Sequence, residues 1–347
     1  MKAAVLHAIG DVRIEDIAQP VPGPGEVLVR VRSCGVCGSD VPRVFHKGTY
    51  RFPTVCGHEF AGTVAGCGAG VCDLAPGTPV TVFPLIWCDT CAECERGEYA
   101  RCLNYDYLGS RSDGGFAEYV TAPRRNLIAL PAGVSLEEGA MTEPAAVALH
   151  AVRRGGVTAG HTVAVFGAGP IGLLVAQWAR ALGAARVLIF DIAPRNLDLA
   201  RTLGFSEVFD SKAADPVATI EALTNGRGAD VALEAAGVPA TMTAAVASAA
   251  AGGKVVMLGN PSGDVTLSAK LISQIMRREL ALVGTWNSSF SATGLPDDWR
   301  TVLAAVAAGT LQLKPLITHR FTLDETLRGL TVMRDRTEFV AKVLINS

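Results

Sequence analysis

Apolar and polar positions alternate through "EVLVRVRSCGV" (residues 26–36) and "FAGTVAGCG" (60–68), the period-two pattern of strands that bury one face. Valine, glycine and proline crowd the first 150 residues, so a mainly β half built of short strands and turns is expected there. From about residue 160 the pattern changes to short apolar runs separated by alanine- and leucine-rich helical stretches. The predicted strands are "HTVAVF", "RVLIFD", "SEVFD", "ADVALEAAG", "GKVVMLG" and "LALVGTW". Six such strands with intervening helices predict an α/β, doubly wound parallel sheet. The last 60 or so residues contain "WRTVLAAVAAG" and end on "AKVLINS", a strand able to return to the first domain. The expected domains are therefore residues 1–152, 153–287 and a return segment 288–347 that completes the first.

Composition narrows the class. A chain of 347 residues, 49% hydrophobic and 18% charged, is large enough for two domains with cores of their own. Its net charge is −2 with the basic residues scattered, which argues against a nucleic-acid partner. The long apolar stretch "HTVAVFGAGPIGLLVAQWARALG" is broken by glycines, a proline, Gln177 and Arg180, so no membrane span is expected. The opening "MKAAVLHAIGDVRIED" carries no apolar targeting core, and a cytoplasmic protein is expected.

"CDTCAECERGEYARC" places Cys88, Cys91, Cys94 and Cys102 as C-x2-C-x2-C-x7-C. Cysteines this close in sequence can turn their sulfurs to one tetrahedral zinc; the alternative, disulfides, requires an oxidising compartment to which nothing in the chain points. Four protein ligands leave no position for a substrate, so this zinc is expected to be structural. "VFGAGPIG" supplies Gly167, Gly169 and Gly172, with Pro170 and Ile171 between them, directly after a predicted strand and before a predicted helix. That context makes it a pyrophosphate-binding turn. Asp191 ends the next strand, 19 residues after Gly172. A carboxylate there accepts the adenosine ribose hydroxyls and repels a 2′-phosphate, favouring NAD over NADP, although Arg195 four residues on could serve a 2′-phosphate.

Cys37, His58, Glu59 and Glu143 offer a thiolate, an imidazole and two carboxylates, the makings of an open, mixed-ligand zinc site. From spacing alone His58 could equally be a core histidine and Glu143 a helix-cap carboxylate. "CGVCGSD", "GHEFAG", the four-cysteine lobe, "DGGFAEY", "EPAAVALHA" and "GAGPIG" follow one another in this order along the whole chain. In this the chain resembles the zinc-dependent medium-chain alcohol and polyol dehydrogenases.

The resemblance implies a GroES-like β-rich catalytic domain, a Rossmann domain, two zinc ions per chain, NAD, a small-molecule substrate and a homo-oligomer, dimer or tetramer. It carries Cys37 and His58 over as ligands, and Glu59 and Glu143 as carboxylates of which either binds at rest, directly or through water. Ser39 would pass the substrate proton outward, and Asp40 would hold the ring of His58 through its other nitrogen. The family commonly has a histidine three residues after the relay serine. Pro42 stands there instead, leaving His46 or bulk water as the terminal base. "CGSDVPRVF", "YDYLGSRSDGGFAEY", "GTW" and "LKPLITHR" are most similar to the branch that oxidises a polyol phosphate such as galactitol 1-phosphate. Free sorbitol or iditol is the next expectation. A phosphate needs a cation: Arg43 is the first candidate, with Lys47, Arg51 and Arg111 behind it, and the alternative for Arg43 is a solvated surface charge.

Overall fold

The computed structural model describes residues 1–347. They form two compact units: Met1–Glu143 with Ser289–Gly309 and Leu316–Ser347, and Pro144–Ser288 with Thr310–Pro315. The short Thr310–Pro315 segment thus groups with the second unit and interrupts the return of the chain to the first.

The first unit is organised by the strand Glu26–Val36. Val27, Val29 and Val31 are buried while Arg30 and Arg32 face solvent, the alternation written in the sequence. This strand pairs antiparallel with Glu59–Cys67, Tyr119–Pro123 and Lys342–Asn346. The full sheet has seven strands and ends at Ile317–Thr322, which runs parallel to Lys342–Asn346. The closing strand is therefore inside the sheet, and its Val343 and Leu344 are completely buried. Gly35 lies opposite Glu59, and Val36 opposite Val343. Three strands, one of them from the far end of the chain, therefore bring their ends to one place. A side chain at residue 35 has no room there: a Cβ on Gly35 would stand 2.9 Å from Cε of Lys342 and would overlap the Glu59 carboxylate.

The second unit holds six parallel strands in the order Val208–Asp210, Arg186–Asp191, Thr162–Phe166, Ala229–Glu234, Ala249–Met257, Ala281–Gly284. In chain order this is 3-2-1-4-5-6, the doubly wound arrangement that the six apolar runs predict. Val163, Val165, Leu188 and Ile189 have no exposed surface, as strands covered on both faces require. Four of the crossover helices, Pro170–Ala181, Pro194–Thr202, Pro216–Leu223 and Pro239–Ser248, open on proline. A proline at the first helical position lacks only an N–H that would have had no intrahelical partner. No helix is long and apolar enough to cross a membrane.

Leu344→Ala empties a fully buried position of the closing strand and is expected to destabilise the protein by about 2–5 kcal/mol, read by urea unfolding. A loss below about 0.5 kcal/mol, the size of a surface effect, would mean that the strand is not part of the core.

Candidate metal centres and nucleotide loop

In the cysteine lobe the Sγ of Cys91 lies 3.5 Å from that of Cys94 and 3.9 Å from that of Cys102, and Cys88 and Cys94 are 4.0 Å apart. Four thiolates at about 2.3 Å from a tetrahedral zinc stand about 3.8 Å from one another, whereas a disulfide needs about 2.05 Å. The spacing fits the metal, and all nine cysteines of the chain are free. The Thr90 hydroxyl, 3.4 Å from Cys88 Sγ, is the main cause that draws this thiol down to about 5. Burial, followed by the neighbouring thiols, pushes Cys94 up to about 12. Four crowded sulfurs do not all ionise alone; a divalent cation makes that possible.

The second cluster gathers at the strand ends of the same unit. Ligand atoms of Cys37, His58 and Glu59 lie within 4.8 Å of one another. Cys37 follows the strand Glu26–Val36, while His58 immediately precedes, and Glu59 begins, the neighbouring strand Glu59–Cys67. Glu143 is not in this tight group. It is buried at the start of the helix Thr142–Gly155, where its Oε1 accepts the Tyr107 hydroxyl at 3.3 Å. Burial pushes its carboxyl up to about 7, with Glu59 adding to the rise and His58 opposing it. The thiolate, imidazole and carboxylate donors are soft, borderline and hard in turn and incomplete as a set, which suits a zinc with open positions.

Asp40 has no exposed surface and three partners. Its Oδ2 accepts the Cys37 N–H at 2.9 Å, and its Oδ1 accepts Arg43 Nη1 at 2.6 Å and lies 3.5 Å from Nδ1 of His58. Burial alone would raise the Asp40 carboxyl, but His58, Arg43 and the Cys37 N–H hold it below the ordinary range. With Nδ1 turned to Asp40, Nε2 is the imidazole nitrogen left for the cluster. Burial lowers the affinity of His58 for a proton; Asp40 and Cys37 outweigh it and raise the imidazole well above its ordinary value. The pocket is thus tuned to hold positive charge next to Cys37, the role that a metal ion fills.

Ser39 is exposed, and its backbone N–H reaches Cys37 Sγ at 3.5 Å. His46 is exposed as well, on the wide turn Arg43–Lys47. Arg43, expected as a phosphate partner, has its guanidinium turned instead to the buried Asp40. Two residues of the site were not singled out from sequence. Lys342 is buried against the Glu59 carboxylate; burial disfavours its charge, but Glu59, Cys37 and Glu143 keep it protonated. Its signal was a lone lysine directly before the apolar run Val343–Ile345. Tyr107 packs edge-on to His58, ring centroids 5.8 Å apart, and nothing in its local pattern distinguishes it from Tyr105.

In the second unit the turn after Thr162–Phe166 packs closely on the helix that follows: a Cβ on Gly172 would overlap Gly167 O. Gly169 caps the helix Pro170–Ala181 without a side-chain acceptor, so its first N–H groups are available to an anion. Asp191 is held at the tip of its strand: Oδ2 accepts Ala168 N–H at 2.6 Å and Asn196 Nδ2 at 3.1 Å, and Oδ1 accepts Ala193 N–H at 2.8 Å. The carboxylate is thereby fixed against the glycine turn. Arg195 is exposed on the following helix.

Comparison with known proteins agrees with this architecture. Residues 23–132 match the alcohol dehydrogenase GroES-like domain and residues 170–308 match the zinc-binding dehydrogenase domain. The chain belongs to the zinc-binding, medium-chain alcohol dehydrogenase family. Among its relatives it is 39% identical to the galactitol 1-phosphate 5-dehydrogenase of Escherichia coli over 99% of both chains. The crystal structure of galactitol-1-phosphate dehydrogenase from the same organism superposes with a TM-score of 0.93 at 37% identity, covering 100% of both chains. The sorbitol dehydrogenase of Bacillus subtilis is 32% identical over 94% of this chain and 91% of its own.

Cys91→Ser is expected to lower the zinc content by about one ion per chain and to lower Tm, because a thiolate in a closed site contributes folding energy. Elemental analysis and thermal unfolding measure both; unchanged zinc and Tm would remove the lobe as a metal site.

Proposed function

We propose that this zinc-binding dehydrogenase moves a hydride from a secondary alcohol of a polyol phosphate, galactitol 1-phosphate or a close analogue, to NAD, giving the keto-sugar phosphate. The grouping of Cys37, His58 and Glu59 within 4.8 Å carries the chemical half of this reading. The full-length similarity to a galactitol 1-phosphate 5-dehydrogenase supports the substrate. Free polyols are the second reading, favoured by the similarity to a sorbitol dehydrogenase.

In this reading Cys37, His58 and Glu59 or Glu143 hold one zinc, and Cys88, Cys91, Cys94 and Cys102 a second. When bound, the first supplies Lewis acidity that makes a substrate hydroxyl easier to deprotonate, and the nicotinamide supplies the hydride acceptor. The chain does the rest. Asp40 orients the His58 ring, and Lys342 neutralises part of the carboxylate charge around the donors. Ser39 takes the hydroxyl proton and releases it to water, which its exposed position permits, or to His46. The N–H groups at the start of Pro170–Ala181 bind the pyrophosphate. Asp191 accepts the ribose hydroxyls and its charge disfavours a 2′-phosphate. Nine free cysteines suit a reducing, cytoplasmic setting. The strand Ala281–Gly284, at the edge of its sheet with Leu282 and the nearby Trp286 exposed, offers a second copy a surface for a homo-oligomer.

The reading is tested by following NAD reduction over free and phosphorylated polyols. Cys37→Ala and His58→Ala are each expected to lower turnover by at least about a thousandfold, a loss of about 4 kcal/mol of transition-state stabilisation. NAD affinity, measured by calorimetry, should stay within about twofold, a difference of less than 0.5 kcal/mol. Retained turnover in either variant would remove this cluster from the chemistry. Asp191→Ala is expected to raise the Kd for NAD and to narrow its preference over NADP; an unchanged ratio would place cofactor choice elsewhere.

A further inference from the structure

The proposed function leaves open what takes the phosphate. Of the four cations that the sequence offers, Arg43 is turned to the buried Asp40, Arg51 pairs with Asp113 at 2.9 Å, and Lys47 is exposed on the Arg43–Lys47 turn. Arg111 differs from all three. Its guanidinium carbon sits 4.3 Å from the ring centroid of Tyr50 and 4.3 Å from that of Tyr105, and no carboxylate pairs with it. The guanidinium thus stands over two phenol rings at once. A guanidinium carries five N–H donors, so one held over ring faces keeps donors with which to meet a phosphate.

The clasp is held in place and tied to the metal cluster. The Arg111 N–H donates to Tyr107 O at 2.9 Å, closing a turn from the same Tyr107 whose hydroxyl meets Glu143 and whose ring packs on His58. Tyr105 and Tyr107 pack edge to face with centroids 6.2 Å apart. Thr49 bonds to Ser110 O, and Arg51 Nε to Arg111 O at 3.2 Å, so the segment bearing Tyr50 is fastened to the turn bearing Arg111. Just beyond the turn, Gly115 N–H donates to Gly57 O at 2.7 Å, beside His58. A continuous series of aromatic contacts therefore runs from His58 through Tyr107 and Tyr105 to an unneutralised cation. Tyr50, the outer ring, is 69% exposed, so a solute can reach the cation.

An arginine that is fixed, stacked and without a counter-ion meets a phosphate dianion with little ordering left to do. A neutral polyol gains much less from it. We propose that Arg111, clasped between Tyr50 and Tyr105, is the specificity residue that receives the phosphate group of the substrate, while Arg43 is a positioning residue that acts through Asp40. The assignment rests on the polyol-phosphate reading above.

The test compares kcat/KM for galactitol 1-phosphate with that for galactitol in the wild type, Arg111→Met, Arg111→Lys and Arg43→Ala. Met keeps an apolar body between the rings and removes the charge; Lys keeps the charge and loses the fork. For Arg111→Met the preference for the phosphorylated substrate is expected to fall by about tenfold to a hundredfold, mainly through KM, the scale of one lost charge-assisted contact. Arg111→Lys should recover part of it. Inorganic phosphate should inhibit the wild type competitively and the Met variant weakly. Arg43→Ala should lower both substrates together, since Asp40 and His58 serve either one. A wild type that prefers galactitol 1-phosphate while Arg111→Met and Arg111→Lys keep that preference would overturn the role of Arg111 and leave the polyol-phosphate reading standing. A wild type without that preference would overturn both. If the Met variant fails to fold, the Lys variant decides: a preference equal to the wild type's overturns the assignment, and a partial loss supports it.

Discussion

The first unit is governed by the cost of burying charge. Asp40, Glu59 and Glu143 lie out of solvent beside the Cys37 thiol, and a carboxylate taken from water into a protein interior costs several kcal/mol unless it is paired. The chain supplies two fixed cations, Arg43 for Asp40 and Lys342 for Glu59. What remains is drawn to positive charge, and His58 and Glu143 show it: the imidazole and the carboxyl both favour their protonated forms, His58 because acidic neighbours outweigh burial and Glu143 chiefly because of burial. A divalent metal settles the same imbalance with one ion and leaves coordination positions for a substrate.

This charge balance explains why the closing strand is where it is. Lys342 enters the site only because Lys342–Asn346 pairs with Glu26–Val36, and Gly35 leaves the gap through which Lys342 and Glu59 meet. Removing the cation alone would strand a buried carboxylate next to the metal donors. The closing strand thus serves the charge balance of the cluster as much as the packing. The cysteine lobe works differently. Its four sulfurs come from one stretch of fifteen residues, so a metal there stabilises a local loop.

The second unit relies on backbone geometry where the first relies on side-chain charge. The anion site proposed for it is a helix N-terminus laid against a strand end, and Asp191, the residue proposed to select the cofactor, is aimed by two backbone N–H groups and Asn196. Such a device depends on turn glycines and sheet order, which repeat patterns specify well. In the proposed assignment substrate choice depends on Arg111, held against Tyr50 and Tyr105 from separate loops.

The sequence by itself determined the features that depend on near neighbours. Period-two apolar alternation marked Glu26–Val36 and Glu59–Cys67, and six apolar runs marked the parallel sheet, because strand and helix periods are local properties. The C-x2-C spacing marked the sulfur cluster, and G-x-G-x-x-G after a strand marked the helix N-terminus, since each motif is one continuous turn of chain. Only the tertiary structure decided which charges meet. Arg43 reads as a free cation beside the metal ligands until the fold sets Asp40 against it. Lys342, 283 residues from Glu59 in sequence (342 − 59), reaches it across the strand pairing of Glu26–Val36. Tyr107 and Tyr105 differ in role only through what packs on them, His58 for one and Arg111 for the other. Pairing between buried charges and rings acts through space over a few ångströms, and the order of residues along a chain does not record that distance.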